Sequence, residues 1–239
     1  MSYFNILLLF SGALTGGLSV FLFKNDSQQK LKLILSFSGA YLFAITVLHL
    51  LPDVYTDGNK TVGLFILLGF IFQIVLEQFS EGVEHGHVHK HVKHNEVVFP
   101  YGIIISLSLH AFLEGMPLSG DSHNSLVYGI AIHHIPAAFA LASILLQNNI
   151  SGVKTVVLLV VFALMSPMGY IFSNQLSMGN FGDLSHYYTS IMGIVIGIFL
   201  HISTTILFES TVDHKFTIKK TMAVAMGISI ALLGYFLGY

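Results

Sequence analysis

The sequence predicts an all-α membrane protein in which eight transmembrane helices form a single domain over residues 1–239. One reason is composition, because 54% of the residues are hydrophobic and only 9% are charged, whereas soluble domains average about 25% charged residues. The other is arrangement. The hydrophobic residues fall in blocks of about 20, the length that an α-helix needs to cross a bilayer, and the blocks do not alternate like β-barrel strands.

Eight apolar spans follow one another, and the connections between them are short and polar except for the third, 81–97. The first span is neither preceded by basic residues nor followed by a small-residue cleavage pattern, so we expect a retained helix. Glycines four apart, such as Gly12 and Gly16, predict close helix packing. The predicted spans are Tyr3–Phe23, Leu31–Leu51, Thr61–Ser80, Val98–Leu118, Ser125–Leu146, Val153–Ser173, His186–Phe208 and Thr217–Gly238.

The placement of lysine predicts the orientation. Nine of the ten lysines lie at or beside odd-numbered connections, and only Lys60 lies at an even-numbered one. Cytosolic loops collect positive charge, so we expect the odd connections in the cytosol and both termini outside it, in a multi-pass protein of the cell membrane (plasma or inner). The net charge of −2 and the lack of arginine argue against a nucleic-acid partner.

Span four carries ionisable residues on one face. His110 and Glu114 are four residues apart, so on a helix they stand one above the other, and Ser106 extends this polar stripe. An ionisable side chain inside a membrane is costly and faces protein or water rather than lipid. An imidazole nitrogen and a carboxylate oxygen at this spacing can bind one cation.

Span five adds two adjacent histidines, His133 and His134, which project about 100° apart on a regular helix and do not both point squarely at one ion. We expect His133 to join His110 and Glu114 in a metal site. Two imidazoles and one carboxylate suit Zn²⁺, and Fe²⁺, Mn²⁺ and Cd²⁺ also fit. The metal is expected as a transported substrate, and no cofactor is expected.

Prolines recur in three consecutive spans, at Pro117, Pro136 and Pro167. A proline lacks the amide hydrogen of the helical bond and crowds the carbonyl four residues earlier, so we expect a kink beside the histidines at Pro136 and broken helices in all three spans. Broken helices around a buried polar cluster are typical of transporter binding sites.

These motifs together resemble the ZIP (Zrt/Irt-like) family of divalent metal transporters. The resemblance rests first on His110-x-x-x-Glu114-Gly and His133-His-Ile-Pro. Further matching features are the eight spans, the outward termini, the histidine-rich third connection and the motifs His49-Leu-Leu-Pro-Asp53 and Phe199-Leu-His201-Ile-Ser. The resemblance implies a ZIP-like bundle, a site midway through the membrane with His110, Glu114 and His133 as ligands, a homodimer, and movement of spans one, four, five and six against the others.

The sequence departs from the two-metal members of that family, which carry Asn after the first histidine, Glu four residues after the span-five position and Glu-Pro in span six. Here those places hold Ala111, Ala137 and Ser166-Pro167. Alanine offers no ligand atom, so we expect a mononuclear site with His134 as an auxiliary donor.

Other polar residues are open to two interpretations. His201 shares a face of span seven with Glu209, which fits either a release path or a structural hydrogen bond, while Gln73 and Glu77 on span three are expected to join helices. The third connection has histidines at every second position, which predicts weak cytosolic metal binding or a solvated linker. Those residues are His85, His87, His89 and His91.

The sequence therefore favours uptake of a divalent metal, most of all zinc, into the cytosol. An alternative of another class is an integral-membrane metal-dependent hydrolase, because His and Glu sites also activate water. Against it, the sequence contains no His-Glu-x-x-His motif and no nucleophile elbow. A metal sensor without flux is a third interpretation.

Overall fold

The computed structural model describes residues 3–22, 28–56, 61–80, 99–119, 124–180, 187–209 and 217–237. Within these ranges lie eight helices that, with their short continuations, are long and apolar enough to cross a membrane. The predicted all-α class and the eight spans are thus confirmed, with ends that differ by a few residues. The helices are α1 Tyr3–Leu18, α2 Gln28–Ile45, α3 Val62–Ser80, α4 Tyr101–Gly115, α5 Asn124–Gln147, α6 Gly152–Ser177, α7 Tyr188–Glu209 and α8 Ile218–Leu237.

The end of α2 is irregular in a way that the sequence analysis does not predict. α2 continues into a wide π turn at Thr46–Leu50 and then into a short helix at Leu51–Val54. Pro52 lies in that short helix, lacks an amide hydrogen and crowds the carbonyl four residues earlier. The wider π turn accommodates the lost bond.

Of the three predicted proline breaks, the one after α4 is observed. Pro117 lies in a 3₁₀ turn, Met116–Ser119, that follows α4. In contrast, α5 and α6 continue through Pro136 and Pro167, so the breaks predicted there are wrong. Each proline removes one backbone hydrogen bond, and packing of the flanking turns against neighbouring helices keeps the helix continuous.

The eight helices pack as two groups of four. The most extensive contacts join α1 to α5 and α4 to α6 in the first group, and α3 to α7 and α2 to α8 in the second. The first group, made of α1, α4, α5 and α6, surrounds an apolar core that includes Leu107 and Phe162. A second core lies where the groups meet and includes Leu42, Ile130 and Phe199.

Glycines let helices of the same group approach until their backbones touch. α4 and α6 meet reciprocally, because Gly115 lies against the carbonyl of Ser166 and Gly169 lies against the carbonyl of Phe112. Close approach of this kind is typical of small residues in membrane helices, and the packing role predicted for the glycines is confirmed. Backbone contacts within a group are also made by Gly16 of α1, Gly69 of α3, Gly197 of α7 and Gly227 of α8.

We expect Gly169→Ala to destabilise the protein, because the added methyl group would overlap the Phe112 carbonyl oxygen. Overpacking of this kind lowers the free energy of unfolding by roughly 1–3 kcal/mol. Thermal unfolding in detergent measures the effect. The matched control is Gly234→Ala, whose methyl group would meet open space on α8. Equal unfolding temperatures for the two variants would show that the contact between α4 and α6 is not tight.

Candidate metal centre

Four buried ionisable side chains meet between α4 and α5. His110 and Glu114 of α4 are 1% and 0% exposed, and His133 and His134 of α5 are 0% and 1% exposed. The four-residue spacing puts the first two on one face of α4, and Gly16 brings α1 against the carbonyl of Ile135, next to the two histidines of α5. The cluster is therefore enclosed by the helices of the first group.

The carboxylate of Glu114 is at the centre of this cluster. Its Oε1 lies 3.3 Å from His110 Nε2 and 3.7 Å from His133 Nε2. Two ligands that each lie about 2.0–2.1 Å from one tetrahedral ion are ~3.3–3.4 Å apart. The three side chains offer ligand atoms that all lie within 4.8 Å of one another, so their spacing suits one shared ion.

His134 reaches the other oxygen of the same carboxylate. Its Nε2 lies 2.6 Å from Glu114 Oε2, which is a short hydrogen bond of the kind that a charged acceptor makes. The imidazole packs against Phe162 of α6, with ring centroids 5.7 Å apart. His133 and His134 thus point in different directions, as their spacing predicts, yet both contact Glu114.

Ala111, Ala137 and Ser166 occupy the positions at which a second ion would need ligands, and none of them is charged. Ala111 and Ala137 belong to the apolar core of the first group. The Ser166 hydroxyl is fully buried and makes no hydrogen bond within the described part of the chain. In that same part, the one group of three or more His, Cys, Asp or Glu residues close enough to hold an ion is His110, Glu114 and His133.

Serine hydroxyls link the first helix group to the second beyond each end of the cluster. Ser106, one turn before His110, donates to the carbonyl oxygen of Leu76 on α3 at 2.8 Å. Ser119, in the turn after α4, lies 2.7 Å from Ser173 Oγ and 3.0 Å from the Tyr188 hydroxyl of α7. Ser106 is predicted from the polar stripe of α4, but the serine and tyrosine cluster is not predicted, because its members are far apart in the chain.

His201 lies in the second helix group, away from this cluster. Its Nε2 is 3.5 Å from Glu77 Oε2 of α3, and its ring meets Phe70 edge-on with centroids 4.9 Å apart. The spacing along span seven groups His201 with Glu209, whose side chain lies outside the described residues, and does not predict Glu77 as a partner. Periodicity along one helix carries no information about which other helix packs against it.

The four histidines predicted to bind metal weakly in the third connection lie outside the described residues. They are His85, His87, His89 and His91.

The helices and the cluster together define the class of protein. Eight apolar helices around a buried set of two imidazoles and one carboxylate make a multi-pass membrane protein with an intramembrane site suited to a borderline divalent cation. A model of the ZIP zinc transporter family matches residues 94–234, which is more than half of the chain. The chain belongs to this family. The family consists of transporters rather than enzymes, and this argues against the interpretation as a metal-dependent hydrolase.

A curated relative supports the same assignment. Protein zntD of Dictyostelium discoideum is 30% identical over 148 residues, and the match covers 56% of this chain and 22% of that protein. The chain therefore spans about a fifth of the length of the curated relative it matches.

We expect Zn²⁺ to raise the unfolding temperature of the wild-type protein in detergent. An ion that binds only the folded state stabilises it by about 2.7 kcal/mol at one hundred times its Kd, and EDTA should reverse the change. His133→Ala should abolish the change because it removes one of the three candidate ligands.

The matched control is His49→Ala. His49 is also a buried histidine, 9% exposed, but its ring packs on Tyr235 of α8 rather than in the cluster. Its replacement should leave the zinc-dependent shift in place. An undiminished shift in His133→Ala would remove His133 from the site.

Proposed function

We propose that this protein carries divalent metal cations, principally Zn²⁺, into the cytosol through a mononuclear site formed by His110, Glu114 and His133. The observation that carries the proposal is the position of Glu114 Oε1, 3.3 and 3.7 Å from two imidazole nitrogens inside the membrane. Ionisable groups at this depth are unfavourable unless they are paired or serve an ion path. The family supports a role in metal transport.

The ligand set supports zinc as the main substrate. Neutral imidazole and carboxylate are the donors that a three-ligand zinc site uses, with water in the fourth position. An open fourth position also lets an ion leave, which a closed four-ligand structural site does not. Fe²⁺, Mn²⁺ and Cd²⁺ are proposed as weaker substrates because they accept the same donors.

The two kinds of helix contact support movement of the first group against the second. Within a group, glycines bring backbones together, as Gly115 and Gly169 do between α4 and α6. Between the groups the contacts include apolar side chains and the hydrogen bonds of Ser106 and Ser119. Side-chain contacts exchange at lower cost than interlocked backbones, so the first group, which holds all three ligands, could move as one body.

His201 is proposed to lie on the release path. The polar stripe of α4 runs from Glu114 through His110 to Ser106, towards the end of α4 that follows the third connection. Ser106 contacts α3 at Leu76, the residue beside Glu77, and Glu77 pairs with His201. An ion leaving the site along this stripe would meet a second carboxylate and imidazole.

Further parts of the proposal rest on the sequence. Lysine placement supports a cytosolic third connection, so His85, His87, His89 and His91 would bind released metal weakly on that side. Membership of the family supports a homodimer in the plasma or inner membrane, with both termini outside the cytosol.

Zinc flux in proteoliposomes tests the function. The wild type should accumulate Zn²⁺, and each of His110→Ala, Glu114→Ala and His133→Ala should lower uptake by at least about tenfold, because two ligands hold an ion far more weakly than three. His49→Ala is again the control and should retain uptake.

Undiminished flux in all three ligand variants would reject the proposed site. A wild type that binds Zn²⁺ without moving it would favour the sensor, and zinc-dependent cleavage of a lipid or peptide would favour the hydrolase.

Orientation can be measured because the natural sequence contains no cysteine. Thr56→Cys and Ser151→Cys place single exposed thiols in the second and fifth connections. A membrane-impermeant maleimide should label Thr56→Cys in intact cells and Ser151→Cys only after permeabilisation. The reverse pattern would place the odd connections outside and contradict the proposed direction of uptake.

A further inference from the structure

The two oxygens of the Glu114 carboxylate have different partners. Oε1 faces the two nitrogens at ligand spacing, His110 Nε2 at 3.3 Å and His133 Nε2 at 3.7 Å. Oε2 lies 2.6 Å from His134 Nε2. Two atoms bound to one ion at about 2.0–2.1 Å are ~3.3 Å apart, so a 2.6 Å contact fits a direct hydrogen bond rather than two ligands of one ion.

The position of His134 is fixed by its surroundings. His134 is buried on α5, with its side chain 2% exposed, and its ring packs against Phe162, which is also buried. For Nε2 to donate, the ring must carry its hydrogen on Nε2, and an imidazole in that tautomer offers no lone pair there to an ion. The same atom therefore does not serve as hydrogen-bond donor and metal ligand at once.

We propose that His134 is a positioning residue that selects for zinc by holding Glu114 Oε2, which leaves Oε1 alone to bind the ion. This inference rests on the proposed function and deepens it. Hydrogen bonds to a ligating carboxylate orient it, and loss of such a partner typically lowers metal affinity by 10- to 100-fold.

The consequence for selectivity follows from coordination number. With Oε2 held by His134, the protein offers two nitrogens and one oxygen, which suits four-coordinate Zn²⁺. Without His134, Oε2 is released and Glu114 can bind through both oxygens. Higher coordination with more oxygen ligands suits Mn²⁺ better than Zn²⁺, so loss of His134 shifts preference towards Mn²⁺.

X-ray absorption at the zinc edge tests the ligand set directly. The proteins are the wild type, His134→Ala and His134→Gln, each loaded with one equivalent of Zn²⁺. The amide nitrogen of Gln reaches about as far as Nε2 and also donates a hydrogen bond, so His134→Gln is the matched conservative variant. To keep zinc out of the third connection, all proteins carry the same background substitutions, His85→Asn, His87→Asn, His89→Asn and His91→Asn.

We expect two imidazoles on zinc in all three proteins. His134→Ala should bind Zn²⁺ about 10- to 100-fold more weakly and should raise the ratio of Mn²⁺ to Zn²⁺ uptake in proteoliposomes. His134→Gln should restore both the affinity and the ratio. If His134→Ala does not fold, two measurements still test the proposal. They are the number of imidazoles on zinc in the wild type, and the zinc affinity and Mn²⁺ to Zn²⁺ uptake ratio of His134→Gln.

Three imidazoles on zinc in the wild type that fall to two in either variant would overturn the proposal and make His134 a ligand. A folded His134→Ala with unchanged Mn²⁺ to Zn²⁺ ratio would also overturn it, as would a His134→Gln protein that behaves like His134→Ala. Failure of the proposed function is recognised separately, because the wild type would then move no zinc or His110→Ala would move as much as the wild type.

Discussion

One carboxylate inside the membrane is the constraint on which the rest of the structure depends. Glu114 is fully buried, and an uncompensated charge there would be strongly destabilising. Its partners come from two helices and include an imidazole on the same face of α4 and two imidazoles of α5. Those two helices must be held in one register, and the rest of the first group holds them, because α4 packs mainly against α6 and α5 packs mainly against α1.

Glycine contacts hold each of the two helices, and Gly16 of α1 lies against Ile135 of α5. α4 and α6 touch through Gly115 and Gly169, and Gly115 immediately follows Glu114. A backbone held against a neighbouring backbone has little freedom to rotate, so the ligands on α4 keep their direction. The joint between the two helix groups relies more on side chains, namely apolar residues and the hydroxyls of Ser106 and Ser119. Gly102 of α4 also lies near the carbonyl of Phe79 on α3, at a wider spacing than the glycine contacts between α4 and α6. The tightest backbone contacts thus lie around the candidate ligands, and the boundary with the second group relies more on side chains.

The parts of this arrangement that follow from local periodicity could be predicted from the sequence. The eight spans and the shared face of His110 and Glu114 depend on hydropathy and on the 3.6-residue turn. Which oxygen of Glu114 each of His133 and His134 meets could not be predicted, because the spacing of adjacent residues gives only their difference in direction. The pairing of His201 with Glu77 depends on packing of α3 against α7, and the sequence of either helix alone does not indicate this packing. The continuity of α5 through Pro136 likewise depends on its neighbours.

The single carboxylate also sets the net charge of the site. With neutral imidazoles, the empty cluster carries one negative charge, and a bound divalent ion changes this to one positive charge. A transmembrane potential acts on each elementary charge with about 2.3 kcal/mol per 100 mV. In the proposed uptake cycle, a cytosol-negative potential would therefore draw the loaded cluster inward and push the ion-free one outward, so the same voltage would favour both steps.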